Sequence, residues 1–245
     1  MSGHSHAANI AVKKGKMDAI KGKIFTKIGR EIAVAAKTNP DPNTNSKLAD
    51  AIAKAKAANM PNDNIKRCIA KASGELSGDN YEELTYEGYG PAGSAVIIKT
   101  LTDNKNRTVD YVRTAMKKHG GSLGNAGCVS FTFTNMGVIV IERTADLDED
   151  VIMEYALEAG AEDFIAEDDA FVVNTSVQNF SVVRKYLEDK GLNFFEASVG
   201  MFPQNKITLD GEDLAKFNKL VAALEDLDDV QNVYHNVDLP EEDEE

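Results

Sequence analysis

Between residues 16 and 74 the apolar side chains repeat on a helical period, and beyond residue 81 they do not; this change of period limits the fold more than any other feature of the chain. Ile20, Ile24, Ile28 and Ile32 recur four residues apart, and Met17, Phe25, Ala35 and Ala36 widen the same stripe. That spacing puts them on one face of a helix, here read from Lys16 to Lys37. Asn39-Pro40-Asp41-Pro42-Asn43 must break it, because proline excludes helical geometry from its predecessor. A second helix is expected with Ser46 as N-cap, carrying Leu48, Ile52 and Ala55. A third begins near Pro61, with Ile65, Cys68 and Ile69 on one side and Gly74 past its end.

After the polar, glycine-containing link Glu75–Asn80, short β-rich runs alternate with helices. Strands are expected at 81–87, 94–101 and 128–134, with a helix from Thr108 to His119. Next come strand 138–142, helix 148–159, strands 163–166 and 170–174, helix 177–190 and strand 193–199, the β-α-β-β-α-β order of ferredoxin-like folds. The remaining helix, 212–227, and strand, 230–234, have no sheet of their own, whereas the segment 81–134 lacks a helix. Joining the two leaves the intervening residues as an insertion. The expected fold is therefore α+β and multidomain: a basic helical domain, 1–78; an α/β domain from 79–135 with 204–245; and a ferredoxin-like α/β domain, 136–203, inserted into it.

Charge sharpens this division. The chain carries a formal net charge of −13, yet residues 1–74 hold fourteen Lys/Arg against five Asp/Glu, a local balance of +9, which leaves −22 for the rest. A basic module joined to an acidic body points to a polyanionic partner. With the first helix drawn at about 100° per residue and Ile20 at zero, Lys16, Lys23, Lys27, Arg30 and Lys37 fall between about 260° and 340°, opposite the apolar stripe. A solvated helix face usually mixes signs, and this stripe contains no acid. Lys13, Lys14, Lys16, Lys23, Lys27 and Arg30 are therefore candidate phosphate contacts, which give affinity without sequence readout. Lys105 and Arg107, in the Thr102–Thr108 connection, are further candidates; ordinary turn chemistry, with Thr108 capping a helix, accounts for that segment as well.

Other motifs support no further chemistry. Gly88-Tyr89-Gly90-Pro91-Ala92-Gly93 matches G-x-G-x-x-G, but Pro91 interrupts it and Val96-Ile97-Ile98 follows, so a connection between two strands is expected in place of a nucleotide loop. Cys68 and Cys128 stand sixty residues apart, which excludes a C-x-x-C pair and a disulfide framework, and the four histidines are dispersed. Neither a P-loop, nor G-x-S-x-G, nor H-E-x-x-H occurs. No catalytic residue, metal ligand, cofactor or small-molecule substrate is expected. The longest apolar runs are about five residues, far below the roughly 18 that span a bilayer, and no secretory h-region is evident. The expected location is the cytoplasm, without a membrane partner.

Met1-Ser2-Gly3-His4-Ser5, Ala8-Asn9-Ile10, Lys13-Lys14, Gly22-Lys23-Ile24-Phe25-Thr26-Lys27 and Ala55-Lys56-Ala57-Ala58-Asn59-Met60-Pro61 carry a resemblance to the YebC/PmpR family. It continues through Tyr86–Pro91, Leu101–Thr108 and Asp229-Val230-Gln231-Asn232-Val233-Tyr234. It implies three domains, the third inserted into the second, and a transcriptional regulator that binds DNA; mitochondrial relatives are translational activators, and bacterial members have been linked to the ribosome. Where the usual opening reads Gly-His-Ser-Lys-Trp-Ala-Asn-Ile-Lys-His, this chain has His6, Ala7, Ala11 and Val12, without two lysines and an aromatic stacking platform. Two ligands follow from these readings: promoter DNA for transcription, or ribosomal RNA and the ribosome for translation. No helix shows Asn, Gln and Arg spaced to read base edges. A different reading has the basic domain docking onto acidic proteins, or onto its own acidic body.

Overall fold

A computed structural model describes residues 21–73 and 81–239 and shows an α+β chain with antiparallel sheets. It divides into two compact units. One comprises residues 205–237 with the described residues up to Thr132; the other is Phe133–Gln204 with Asp238 and Leu239.

The first unit opens with helices α1 (Lys21–Thr38), α2 (Ser46–Ala57) and α3 (Asn62–Ser73). The four-residue period survives into the core: Ile28, Ile32 and Ala36 of α1 are buried against Leu48, Ala51 and Ala55 of α2 and Ile65 and Ala72 of α3. Small residues let the helices approach, and a Cβ on Gly29 would lie 3.2 Å from Cys68 Sγ. The N-cap of α2 is Asn45, one residue before the expected Ser46. Its Oδ1 accepts from Leu48 N–H at 3.1 Å while its amide donates to the carbonyls of Asn39 and Ala35 at 2.6 and 2.9 Å. An amide has an acceptor and two N–H donors, so one side chain caps α2 and bonds two carbonyls at the end of α1, whereas a serine hydroxyl has a single proton to donate.

The same unit holds a four-stranded sheet of β1 (Glu82–Tyr89), β2 (Ala95–Thr102), β3 (Ser122–Leu123) and β9 (Val230–His235), in the order β3-β1-β2-β9. Its pairings are antiparallel, with Ile98 opposite both Tyr86 and Val233. Val112 and Met116 of α4 (Lys105–Lys118) and Phe217, Leu220 and Leu224 of α7 (Gly211–Glu225) are buried in this unit. The Gly88–Gly93 run is the connection between β1 and β2, with Pro91–Gly93 in a single 3₁₀ turn. A Cβ on Gly90 would lie 2.6 Å from Ser94 Oγ and 3.1 Å from Leu220, so the glycine admits the close passage of the chain beneath α7.

Two further boundaries differ from expectation for a visible reason. Helix α4 begins at Lys105 with Asn104 as its cap, accepting from Arg107 N–H at 3.1 Å; Thr108 is drawn inside to bond a buried carboxylate. The strand expected at 128–134 does not form over most of that stretch. The buried carboxylate of Glu87 accepts from the N–H groups of Gly127, Val129 and Ser130 at 2.8, 2.9 and 2.9 Å, taking donors that a ladder would need.

The second unit runs β4 (Phe133–Glu142), α5 (Glu149–Ala159), β5 (Asp163–Ala166), β6 (Ala170–Thr175), α6 (Phe180–Asp189) and β7 (Phe194–Pro203). Its strands lie in the order β5-β6-β4-β7, all antiparallel. Alternate residues Ile139, Ile141, Phe171 and Val173 face a core completed by Ile152, Ala156, Phe180, Val183 and Leu187 from the two helices. Strands β8 (Ile207–Thr208) and β10 (Val237–Asp238) form a separate pair.

Candidate nucleic-acid interface

Asp229 sits at the turn between α7 and β9, with only 8% of its side chain exposed. Its Oδ1 accepts from Arg30 at 2.9 Å and Arg107 at 3.2 Å; Oδ2 accepts from Arg107 at 3.0 Å, Thr108 at 2.8 Å and Thr102 at 3.2 Å. One carboxylate thus joins α1, α4 and β2. Burial pushes its pKa up, but the hydrogen bonds from Thr108, Arg107 and Arg30 outweigh it and hold the carboxyl below the ordinary value. Arg107 is shifted upward by its bonds to Asp229 and then Asp103.

Around this point the cationic face of α1 meets the end of α7. Lys23 is hydrogen-bonded and ion-paired to the Asp226 carboxylate, and also reaches the Asp226 carbonyl at 3.3 Å. Lys27 donates to the Glu225 carbonyl at 2.7 Å and Arg30 to that of Asp228 at 2.7 Å. The arrangement follows from elementary electrostatics: the last carbonyls of a helix lack intrahelical partners and carry partial negative charge, which cations satisfy. Asp226, Asp228 and Asp229 add full charges. Burial depresses the Lys27 pKa, opposed by Glu225 and Asp228.

The candidate residues are therefore distributed unevenly. Lys23, Lys27, Arg30 and Arg107 converge on residues 225–229, where Lys23, Arg30, Asp103, Arg107, Tyr111 and Asp226 help to line a cleft of about 580 Å³. Lys105 stands apart, exposed and 3.7 Å from Glu82. Lys13, Lys14 and Lys16 lie outside the described residues. Sequence reasoning missed Asp226, Asp229, Thr102 and Tyr111; the Asp226–Asp229 acids at the end of a helix were the available signal. It also passed over the basic residues of α2 and α3. Among the described residues, Lys47, Lys56 and Lys66 are exposed and carry no ion pair, whereas Lys54 pairs with Glu31 at 2.8 Å. Among the described residues, no group of His, Cys, Asp and Glu is placed to hold a metal ion, and no helix is long and apolar enough to cross a membrane.

Residues 81–237 match the TACO1/YebC second and third domain, and residues 5–75 match the TACO1/YebC protein N-terminal domain. The chain belongs to the TACO1/YebC family. It is 56% identical over 242 residues, 98% of each chain, to the "Probable transcriptional regulatory protein ORF2U" of Hathewaya histolytica. A "Probable transcriptional regulatory protein" of Acetivibrio thermocellus is 58% identical over 238 residues, covering 96% of this chain and 98% of the relative. The crystal structure of Aq1575, a conserved hypothetical protein from Aquifex aeolicus, is similar with a TM-score of 0.80 at 42% identity, covering 94% of this chain and 95% of that one. The relatives from Hathewaya histolytica and Acetivibrio thermocellus bear the names of regulatory proteins.

Proposed function

We propose that this protein is a cytoplasmic, non-enzymatic regulator of gene expression that binds nucleic acid through its basic N-terminal part, with DNA as the ligand in transcriptional control. The observation that carries this reading is the segregation of charge: +9 over residues 1–74 on a chain of net −13, with Lys47, Lys56 and Lys66 exposed and unpaired among the described residues. The names of the relatives agree with it. We assign phosphate contacts to Lys13, Lys14, Lys16, Lys23, Lys27 and Arg30, with Lys105 and Arg107 as a second set. The architecture that serves this function is a helical domain, 1–78, followed by an α/β domain, 79–135 with 204–245, into which a ferredoxin-like domain, 136–203, is inserted.

A second reading, a translation factor on ribosomal RNA, is favoured by one feature. The cations of α1 grip backbone carbonyls and carboxylates instead of standing free for a major groove, so the contacts suit phosphate recognition better than base readout. Competition between labelled duplex DNA and purified ribosomes for the full chain, near physiological salt and at several ionic strengths, separates the two. Sequence-dependent DNA binding that survives ribosomes supports transcription; loss of the DNA to ribosomes supports translation. No salt-dependent binding to either refutes both.

A further inference from the structure

We propose that the acidic turn Glu225–Asp229 is a built-in competitor for the cationic face of α1, occupying Lys23 and Lys27 until a polyanion displaces it. The inference rests on the nucleic-acid reading above and adds what regulates that site.

The turn offers α1 what a phosphate backbone would. Anionic and carbonyl oxygens follow one another along the chain: Glu225 O against Lys27, the Asp226 carboxylate against Lys23, then Asp228 O and Asp229 Oδ1 against Arg30. The grip is graded along the helix. At one end Arg30, 18% exposed, is bound to Asp229, 8% exposed, and Arg30 also lies over the ring of Tyr81 at 5.5 Å. At the other end Lys23 is 42% exposed and Asp226 72%. An exposed pair already shares its charges with water and yields readily to another anion, whereas a buried pair does not. Among the described residues, the buried cluster that holds α1, α2 and α3 together comprises residues between Ile28 and Ala72 and includes none of the turn Glu225–Asp229. Displacement therefore begins at Lys23 and Lys27, and the more buried Arg30–Asp229 pair is the last to open.

The test compares the full-length protein with its Asp226→Asn/Asp228→Asn variant by two readouts. The first needs no nucleic acid: the rates at which Lys23 and Lys27 are acetylated, followed by mass spectrometry with Lys47, Lys56 and Lys66 as internal references. Exposed pairs are each worth a factor of about 1.5 to 5, so Lys23 should react about threefold faster while the references hold; Lys27 keeps the Glu225 carbonyl and loses only the attraction of Asp228 and Asp226, so it should speed up less. The second is affinity for a 30-base-pair duplex at near-physiological salt, which should tighten by about three- to tenfold with a salt slope steeper by about one to two. A Glu154→Gln/Asp168→Asn variant removes equal charge from residues 133–204 and should show no comparable gain.

Unchanged acetylation of Lys23 overturns the inference, as does a gain in affinity matched by the control, since net charge would then explain it. If both lysines become reactive and neither the duplex nor a ribosomal RNA fragment protects them at any salt, the turn is a clamp without a polyanionic competitor. In that case the nucleic-acid reading is what fails.

Discussion

Removal of the Asp229 carboxylate should loosen the joint that carries the candidate interface, and the geometry sets the size of the effect. Asp229→Ala removes an acceptor used by Arg30, Arg107, Thr102 and Thr108. The four partners suffer unequally. Arg107 is 37% exposed and keeps Asp103 at 2.7 Å, so water and that carboxylate compensate it. Thr108 can turn its single proton to the Asn104 carbonyl at 3.0 Å, and Thr102 can turn its own to Thr108 at 2.8 Å. Arg30, 18% exposed, is left with carbonyl acceptors only. Breaking a fully buried pair costs about 3–5 kcal/mol, and an exposed one at most about 1. The mixture here predicts about 2–4 kcal/mol, lowering Tm by roughly 5–15 °C for a unit of this size. Calorimetry and urea titration of the unit containing residues 21–132 and 205–237 measure it. An Arg30→Ala/Asp229→Ala double-mutant cycle should give a coupling of at least about 1 kcal/mol. A loss below about 1 kcal/mol, or strict additivity, would refute the view that this carboxylate ties α1 to the sheet.

Acid should release the loop that Glu87 holds. Burial raises the Glu87 pKa, but the N–H groups of Val129, Gly127 and Ser130 outweigh it, so the folded value lies below the unfolded one. A depressed carboxyl pKa stabilises the fold above the unfolded value, and this contribution disappears as pH falls through the folded value, so amide exchange over 124–130 should accelerate below about pH 4. Glu87→Gln should bring that exchange to neutral pH and cost about 1–3 kcal/mol; a silent variant would refute the assignment. Gly137→Ala should cost about 1–3 kcal/mol in a melt, because its Cβ would lie 2.4 Å from Thr175 Oγ1 and 2.5 Å from Phe180. Gly22→Ala in α1 meets nothing within 4 Å and should be neutral or stabilising by up to about 1 kcal/mol. Lys47→Glu/Lys56→Glu/Lys66→Glu should weaken duplex or ribosome binding across all sequences and reduce the salt slope by about three, while circular dichroism stays unchanged.

Much of the secondary structure was legible because local periodicity carries it. The isoleucine stripe of α1 marks its own buried face, and the unbroken apolar runs of β4 and β6 mark strands buried on both faces. The strand at 230–235 had no partner nearby in sequence, and it pairs with β2 more than a hundred residues earlier. Three of the readings that differ share one cause. Asn45, Asn104 and Glu87 each supply side-chain oxygens to backbone N–H groups, and hydrogen bonds of that kind shift element boundaries without leaving a pattern in hydrophobicity.

The amino-acid sequence by itself determined that α1 has an apolar face and a cationic one, since a helix fixes the angle between residues wherever it forms. It also set the charge of each part of the chain. Only the tertiary structure decided what the cationic face meets. Lys23, Lys27 and Arg30 lie about two hundred residues from Glu225–Asp229, and no local rule connects them. Their meeting depends on where the sheet places the end of α7, because complementary charges specify contact only after the fold has brought them within a few ångströms.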